Sequence, residues 1–494
     1  MVMITRFDGR RKLGLSCRIH GRRLQSLAMS VRTYQDALDY LYGFVDYSLE
    51  RSYRYSAELF DLDRVRRLLH LLGDPQERFP SFHIAGTKGK GSVTAMIDSS
   101  LRAAGYRTGM YTSPHLIDFS ERIQVDGEPI SEASLVAGVN EIQPFVEQVA
   151  NLTTYEIVTA IAFAHFARSG VNAGSIEVGL GGRLDATNVL HPVVSVITSL
   201  SYDHMHLLGD RLSDIAREKS GIIKPGVPVV SAPQQHEAER VIEEIARAQG
   251  SPLVRVGQDW LYAPGGHDLD GQTLHVWPVS EQPLMNAFVD SAGGEEWVPP
   301  RFDLPLLGHH QIVNGAVAYA ALRTASTRGV PIGEDAIREG FRTVRWEGRF
   351  QILSRSPMVV VDSAHNRDSA LKLRIALDDY FPGQPVTLIF GASADKDIEG
   401  MFVELAPRVS RVIVTQAVHP RAAEPQEVVA LAHRHGLRTE VVSPVRAALE
   451  QAIARARPNE VILSAGSLFV SAEILSAWDD VAAQLKASAG GGLG

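Results

Sequence analysis

The short apolar run Ser81–Ala85 ends in Gly86-Thr87-Lys88-Gly89-Lys90-Gly91-Ser92, and a helical pattern follows over residues 93–104. A glycine-rich turn between a buried strand and a helix lets backbone N–H groups face inward. The helix N-terminus adds partial positive charge. Together they make a phosphate-binding loop, in which Lys90 can reach the β- and γ-phosphates and Ser92 can offer a hydroxyl near a metal. The form is a variant: Ile84 stands where the strict pattern has glycine, and Gly91 where it has Ser or Thr. The competing reading, a glycine-rich turn without a ligand, is the weaker one because strand, helix, Lys and Ser are all present.

The rest of the chain fits a sheet built around that loop. Residues 34–72 and 155–168 read as helical, with Gly105 as a stop after the helix at 93–104. Strands are expected at 109–112, 175–178 and 193–199. Alternating strands and helices imply a parallel sheet covered on both faces. Residues 262–300 break the rhythm, being rich in Gly, Asp, Pro and Glu, and are read as an irregular β-rich insertion or long loops. A helix is expected at 311–328. Strands at 359–361, 386–390, 412–414 and 461–463 then imply a second, smaller α/β domain, joined near residues 345–349. The expected fold is therefore a phosphate-loop, parallel-sheet ATPase domain (34–345) followed by a Rossmann-like α/β domain (346–486). This agrees with 494 residues, too many for one ordinary core. Residues 487–494 read as a flexible tail.

Composition narrows the function classes. A net charge of -8 disfavours a nucleic-acid-binding surface. Cys17 is the only cysteine, so no intrachain disulfide can form, which fits a reducing compartment. No apolar run approaches membrane-spanning length. A cytoplasmic protein with neither nucleic-acid nor membrane partners is expected. Within the extension read at 1–33, the first thirty residues carry Arg6, Arg10, Arg11, Lys12, Arg18, Arg22 and Arg23 against the single acid Asp8. They read either as an Arg-rich targeting segment or as a disordered extension upstream of a start at Met29. The absence of an apolar secretory core favours the second.

Several further blocks appear in order: Thr112-Ser113-Pro114-His115-Leu116, Glu121-Arg122-Ile123, and Glu177-Val178-Gly179-Leu180-Gly181-Gly182-Arg183-Leu184-Asp185-Ala186-Thr187-Asn188. Asp203-His204 and Arg217-Glu218-Lys219-Ser220-Gly221-Ile222 come next. Gly308-His309-His310-Gln311 with Asn314, Trp346-Glu347-Gly348-Arg349, Asp362-Ser363-Ala364-His365-Asn366 and Asp395-Lys396-Asp397 complete the set. With the loop, they resemble the folylpolyglutamate synthase / dihydrofolate synthase family of the Mur ligase superfamily, from about residue 34 to 470. The chain departs from the family pattern at Lys88 (usually Asn), Ser220 (Ala), Ser363 (Gly) and Arg367 (Pro).

The resemblance implies roles. ATP would contact Gly86, Thr87, Lys88, Gly89, Lys90, Gly91, Ser92, Asn314, Arg349 and Asp362. Mg²⁺ would be held by Ser113, Glu177 and His204, with Asp203 orienting the histidine. Oxygen donors suit this hard cation, whereas His204 read from the residues alone would be a buried polar group. Lys219 would be carbamylated, exchanging an ammonium for an anion. Lys90, Lys219, His204, Asp362 and His365 form the implied catalytic set. Thr153, Thr154, Tyr155, Glu156, Leu184, Asp185 and Ala186 match positions that bind a pterin. For Tyr155, ring stacking and plain helix packing are equally open, and Asn314 can serve an adenine edge or a solvated helix surface. Were Ser363 at positive φ, it would store strain.

The implied reaction is ATP-dependent: a folate or dihydropteroate carboxylate becomes an acyl phosphate, L-glutamate attacks it, and ADP and phosphate leave. A monomer is expected. A Mur-type amino-acid ligase of cell-wall precursors is the alternative within the superfamily, and a non-catalytic nucleotide switch the alternative outside it.

Overall fold

The computed structural model describes residues 31–45, 61–203, 205–291 and 297–490. The basic extension as far as residue 30 and the last four residues of the expected tail lie outside them, as do 46–60 of the expected first helical stretch.

The first sheet contains β1 (Ser81–Ala85), β2 (Thr108–Tyr111), β3 (Ile123–Val125), β4 (Glu128–Pro129), β5 (Ala173–Glu177), β6 (Val194–Ile197), β7 (Val229–Ser231) and β8 (Leu253–Arg255). Their order is β4-β3-β2-β5-β1-β6-β7-β8; β2, β5, β1, β6, β7 and β8 are mutually parallel, and the β2–β3 and β3–β4 pairs at one edge are antiparallel. β1, β2, β5, β6 and β7 are buried at every residue, as expected of strands covered on both faces. One face packs under helices Lys90–Ala103, His309–Ser326 and Glu334–Thr343. The other packs under Tyr34–Tyr42, Leu62–Leu71, Glu132–Val146 and Thr154–Arg168.

The Gly- and Pro-rich stretch after residue 259 is more regular than its composition suggests. β9 (Trp260–His267), β10 (Gln272–Pro278) and β11 (Arg301–Leu304) form an antiparallel sheet. Leu274, Val276, Phe302 and Leu304 are buried in the same core as the helix His309–Ser326. Alternation of a few apolar residues, diluted by turn residues, was enough to seat this sheet.

β12 (Gln351–Arg355), β13 (Met358–Val361), β14 (Val386–Phe390), β15 (Val409–Val414), β16 (Thr439–Val441) and β17 (Val461–Ala465) form the second sheet, in the order β12-β13-β17-β14-β15-β16. It is parallel except for β12. Separate apolar clusters cover its two faces. The chain is thus a large parallel-sheet domain followed by a smaller α/β domain. The last helix continues to Gly490, beyond the point where the tail was expected to begin. Among the described residues no helix is long and apolar enough to cross a membrane.

Candidate active site

The loop after β1 is shaped by the end of β6. Backbone N–H groups of Thr87 and Lys88 both donate to the Ser199 carbonyl at 3.0 Å, and Thr87 Oγ1 donates to the Ser201 carbonyl at 3.1 Å. Gly89 has φ of 89°, and a Cβ there would stand 2.2 Å from Asn314 Oδ1. Backbone conformation and packing therefore both demand glycine. Asn314 itself donates from Nδ2 to Gln311 Oε1 at 2.9 Å, so its carbonyl oxygen lies against the loop. Gly89 begins the helix Lys90–Ala103 without a side-chain cap, so the first N–H groups of that helix have no side-chain acceptor.

Lys90 Nζ lies 3.6 Å from Glu177 Oε1 at the end of β5, and both side chains are largely buried. Burial raises the Glu177 carboxyl above its ordinary range, and the Lys90 charge opposes that rise. Ser113 follows β2, and its hydroxyl is buried without a well-formed hydrogen bond. Lys219 sits on the helix Leu212–Ser220 and is buried, its Nζ donating to the Gly86 carbonyl at 2.8 Å. Burial, then the nearby Lys90 charge, pulls its pKa down to about 7. His204 lies outside the described residues. Among the described residues no group of three or more His, Cys, Asp or Glu could hold a metal ion. The buried Glu177 carboxylate and the unsatisfied Ser113 hydroxyl nevertheless supply oxygen donors beside Lys90, a set that fits a hard cation.

The second domain contributes the turn after β13. Asp362 accepts hydrogen bonds from the N–H of Phe350 at 2.8 Å and of Ala364 at 2.7 Å, so it anchors the interdomain connection. Phe350 has φ of 43°, a left-handed backbone that a bulky residue adopts only when its surroundings impose it. Nothing in the sequence marked that position. Ser363 is not at positive φ, so the anticipated strain is absent; the adjoining Gly348 takes the positive φ instead, at 67°. Arg367 opens the helix Arg367–Tyr380, where proline is also at home, and pairs with Glu404 at 3.0 Å. His365 Nδ1 is 2.9 Å from the Ser363 carbonyl, and the Lys88 charge together with burial holds the ring neutral.

The loop 86–92, Ser113, Glu177, Lys219, Asn314, Arg349, Asp362 and His365 line one cleft between the domains. Trp346 lines it too, with its ring where a Gly91 Cβ would fall. The residues matched to a pterin site do not line this cleft. Thr153 and Glu156 form a capping box for the helix Thr154–Arg168, and Thr154 Oγ1 donates to the Leu41 carbonyl at 2.8 Å. Tyr155 OH lies 3.5 Å from Asp185 Oδ1. Asp185, between Leu184 and Ala186, also accepts from the Thr187 hydroxyl at 2.5 Å, and Thr187 in turn meets His83 Nε2 at 2.8 Å. This buried chain was not foreseen; a histidine, His83, inside the apolar strand β1 was its one signal in the strands.

Residues 84–322 match the Mur ligase middle domain, and residues 348–468 match the "Mur ligase, glutamate ligase domain" family. The dihydrofolate synthase/folylpolyglutamate synthase of Bacillus subtilis is 34% identical over 399 residues, covering 79% of this chain and 86% of that protein. A probable bifunctional folylpolyglutamate synthase/dihydropteroate synthase of Haloferax volcanii is 36% identical over 85% of this chain, which spans only 50% of that longer protein. The structure of Escherichia coli FolC in complex with DHPP and ADP superposes with a TM-score of 0.77 at 30% identity, covering 91% of this chain and 99% of that one. The chain belongs to the folylpolyglutamate synthase / dihydrofolate synthase family of the Mur ligase superfamily.

Proposed function

We propose that this chain is an ATP-dependent ligase that joins L-glutamate to a folate-type acceptor, with dihydropteroate and tetrahydrofolate both as acceptors. The observation that carries this reading is the cleft itself. A phosphate loop from one domain and a turn bearing Asp362 and His365 from the other face the same space. The glycine loop and the uncapped helix start suit a triphosphate, and Lys90, beside Glu177, would be the cation that meets the transferring phosphoryl group. No protein nucleophile is required: the acceptor carboxylate takes the γ-phosphoryl group, ADP leaves, and the glutamate amine displaces phosphate from the acyl phosphate. Closure of the domains would keep water from that intermediate.

Glu177 and Ser113 beside Lys90 would hold Mg²⁺, with His204 as the further ligand that the family resemblance implies, and the ion would supply neutralisation of phosphate charge. Arg349 would add a guanidinium to the nucleotide side. Tyr155 and Asp185, which lie together, would grip the pterin from behind the cleft, with Thr153, Thr154, Glu156, Leu184 and Ala186 shaping that wall. Lys219 would act as its carbamate. A buried amine with pKa near 7 is neutral often enough to capture CO₂, and carbamylation exchanges a crowded cation for an anion. The chain would work as a monomer on these small molecules alone.

Glutamate incorporation, assayed separately with dihydropteroate and tetrahydrofolate, tests the reading. Incorporation with both is expected. Turnover only with a UDP-muramyl acceptor would overturn it in favour of a Mur-type ligase. Intact mass in the presence of bicarbonate tests the carbamate, and a bare amine under those conditions would exclude it.

A further inference from the structure

Lys88 is the loop position that departs from the family pattern, and its side chain leaves the loop. Its ammonium lies 3.2 Å from Asp203 Oδ2 and 3.5 Å from His365 Nε2. Asp203 belongs to the first domain, in the segment after β6. His365 belongs to the second, in the turn after β13. His365 Nδ1 faces the Ser363 carbonyl, which can only accept, so Nδ1 carries the proton and Nε2 presents a lone pair. Lys88 is the donor that meets that lone pair. Asp203 is reached from the second domain as well. Asn366 Nδ2 donates to Oδ2 at 3.0 Å, and Lys396 Nζ lies 3.6 Å from Oδ1. The Lys88, Asp203 and Lys396 side chains are 15%, 12% and 14% exposed, so solvent and salt screen these charges less than a surface pair.

We propose that Lys88 is a positioning residue that ties the nucleotide loop to the second domain through Asp203 and His365. It holds the His365 ring, whose tautomer the Ser363 carbonyl selects, in one orientation and aligns the second domain's half of the cleft with the nucleotide half. The inference rests on the ligase reading, because only a two-substrate reaction across the cleft gives such alignment a kinetic consequence. In a misaligned cleft, water instead of the amine attacks the acyl carbonyl. Carboxylic acid and inorganic phosphate then return with no amide formed. The ratio of phosphate released to glutamate incorporated therefore reads alignment separately from nucleotide binding.

The test uses the full chain as Lys88→Met, Lys88→Asn and Lys88→Arg. In Lys88→Met the KM for L-glutamate should rise roughly tenfold, as expected for loss of a hydrogen-bonded charge, while the KM for ATP stays within about twofold. The phosphate-to-glutamate ratio should climb above that of the parent. Lys88→Arg keeps charge and donors and should recover most of both values. Lys88→Asn restores the residue usual in the family but cannot reach His365, so it should behave like Lys88→Met and serves as the folded control if methionine disturbs the loop. A rise confined to the ATP KM would overturn the proposal, making Lys88 a phosphate ligand. An unchanged glutamate KM and ratio would overturn it equally. A parent chain with no glutamate-dependent phosphate release would overturn the ligase reading and this proposal with it.

Discussion

Two strand-to-helix turns face each other across the cleft, after β1 and after β13, and they use their backbones in opposite ways. The first is built on glycines, and its helix begins at Gly89 with no side-chain cap. The second is closed by side chains: Asn366 and Ser369 form a capping box, Ser369 Oγ accepts from the N–H of His365 and of Asn366, and Asp362 accepts from Ala364. A turn that leaves N–H groups without side-chain acceptors can bind an anion. A turn that satisfies its own N–H groups becomes a rigid platform for its side chains, here His365. Lys88 crosses from the first kind of turn to the second.

The contrast can be broken most severely at Lys90. Lys90→Ala should lower ligation on the order of 10³-fold, as for loss of one preorganised charge-stabilising group, with an unchanged circular-dichroism spectrum. Near-normal turnover would remove the phosphate assignment of the first turn. Next comes Asp362→Ala, which leaves the buried N–H groups of Phe350 and Ala364 without acceptors. A loss of roughly 2–4 kcal/mol in denaturant unfolding is expected. Gly89→Ala should cost about 1–2 kcal/mol of left-handed backbone strain and push on Asn314, so it should weaken ATP binding far more than Asp362→Ala does per unit of stability lost. Isothermal titration with ATP distinguishes the two.

pH separates the turns as well. The Lys219 amine, bonded to the Gly86 carbonyl of the first turn, has its folded pKa pulled below the unfolded value of 10.5 to about 7. Between those values the unfolded chain binds more protons, so bicarbonate-free protein should gain stability as pH rises from 7 to 9, by up to about 1.4 kcal/mol per pH unit. Lys219→Met should abolish that gain; a slope that survives the substitution would assign it to another group. The smallest effect is expected at Arg367→Pro. That residue is the first of its helix, where proline is tolerated, and Glu404 keeps Arg374 at 3.3 Å. The melting point should correspond to a change within about 0.5 kcal/mol, a typical surface-pair effect.

Much of this molecule was legible beforehand because its signals are local. Buried parallel strands read as short apolar runs, and β1, β14 and the helix after the loop fall where such runs and the glycines put them. The region of β9–β11 reads as β-rich in the sequence, but its regularity does not show there because turn residues interrupt its alternation. Thr153 and Glu156 form a capping box in the structure, and because a capping box is a matter of residue type and spacing it was legible in the sequence as well.

The sequence by itself determined the phosphate loop, the two α/β domains and the family, since each rests on neighbours in the chain or on ordered blocks of residues. Only the tertiary structure decided that Phe350 takes a left-handed backbone under Asp362, that Lys219 meets Gly86, and that Lys88 spans Asp203 and His365. Those contacts join residues 12, 133, 115 and 277 positions apart. Such distances are set by how two sheets stack and close, and no local periodicity or spacing records them.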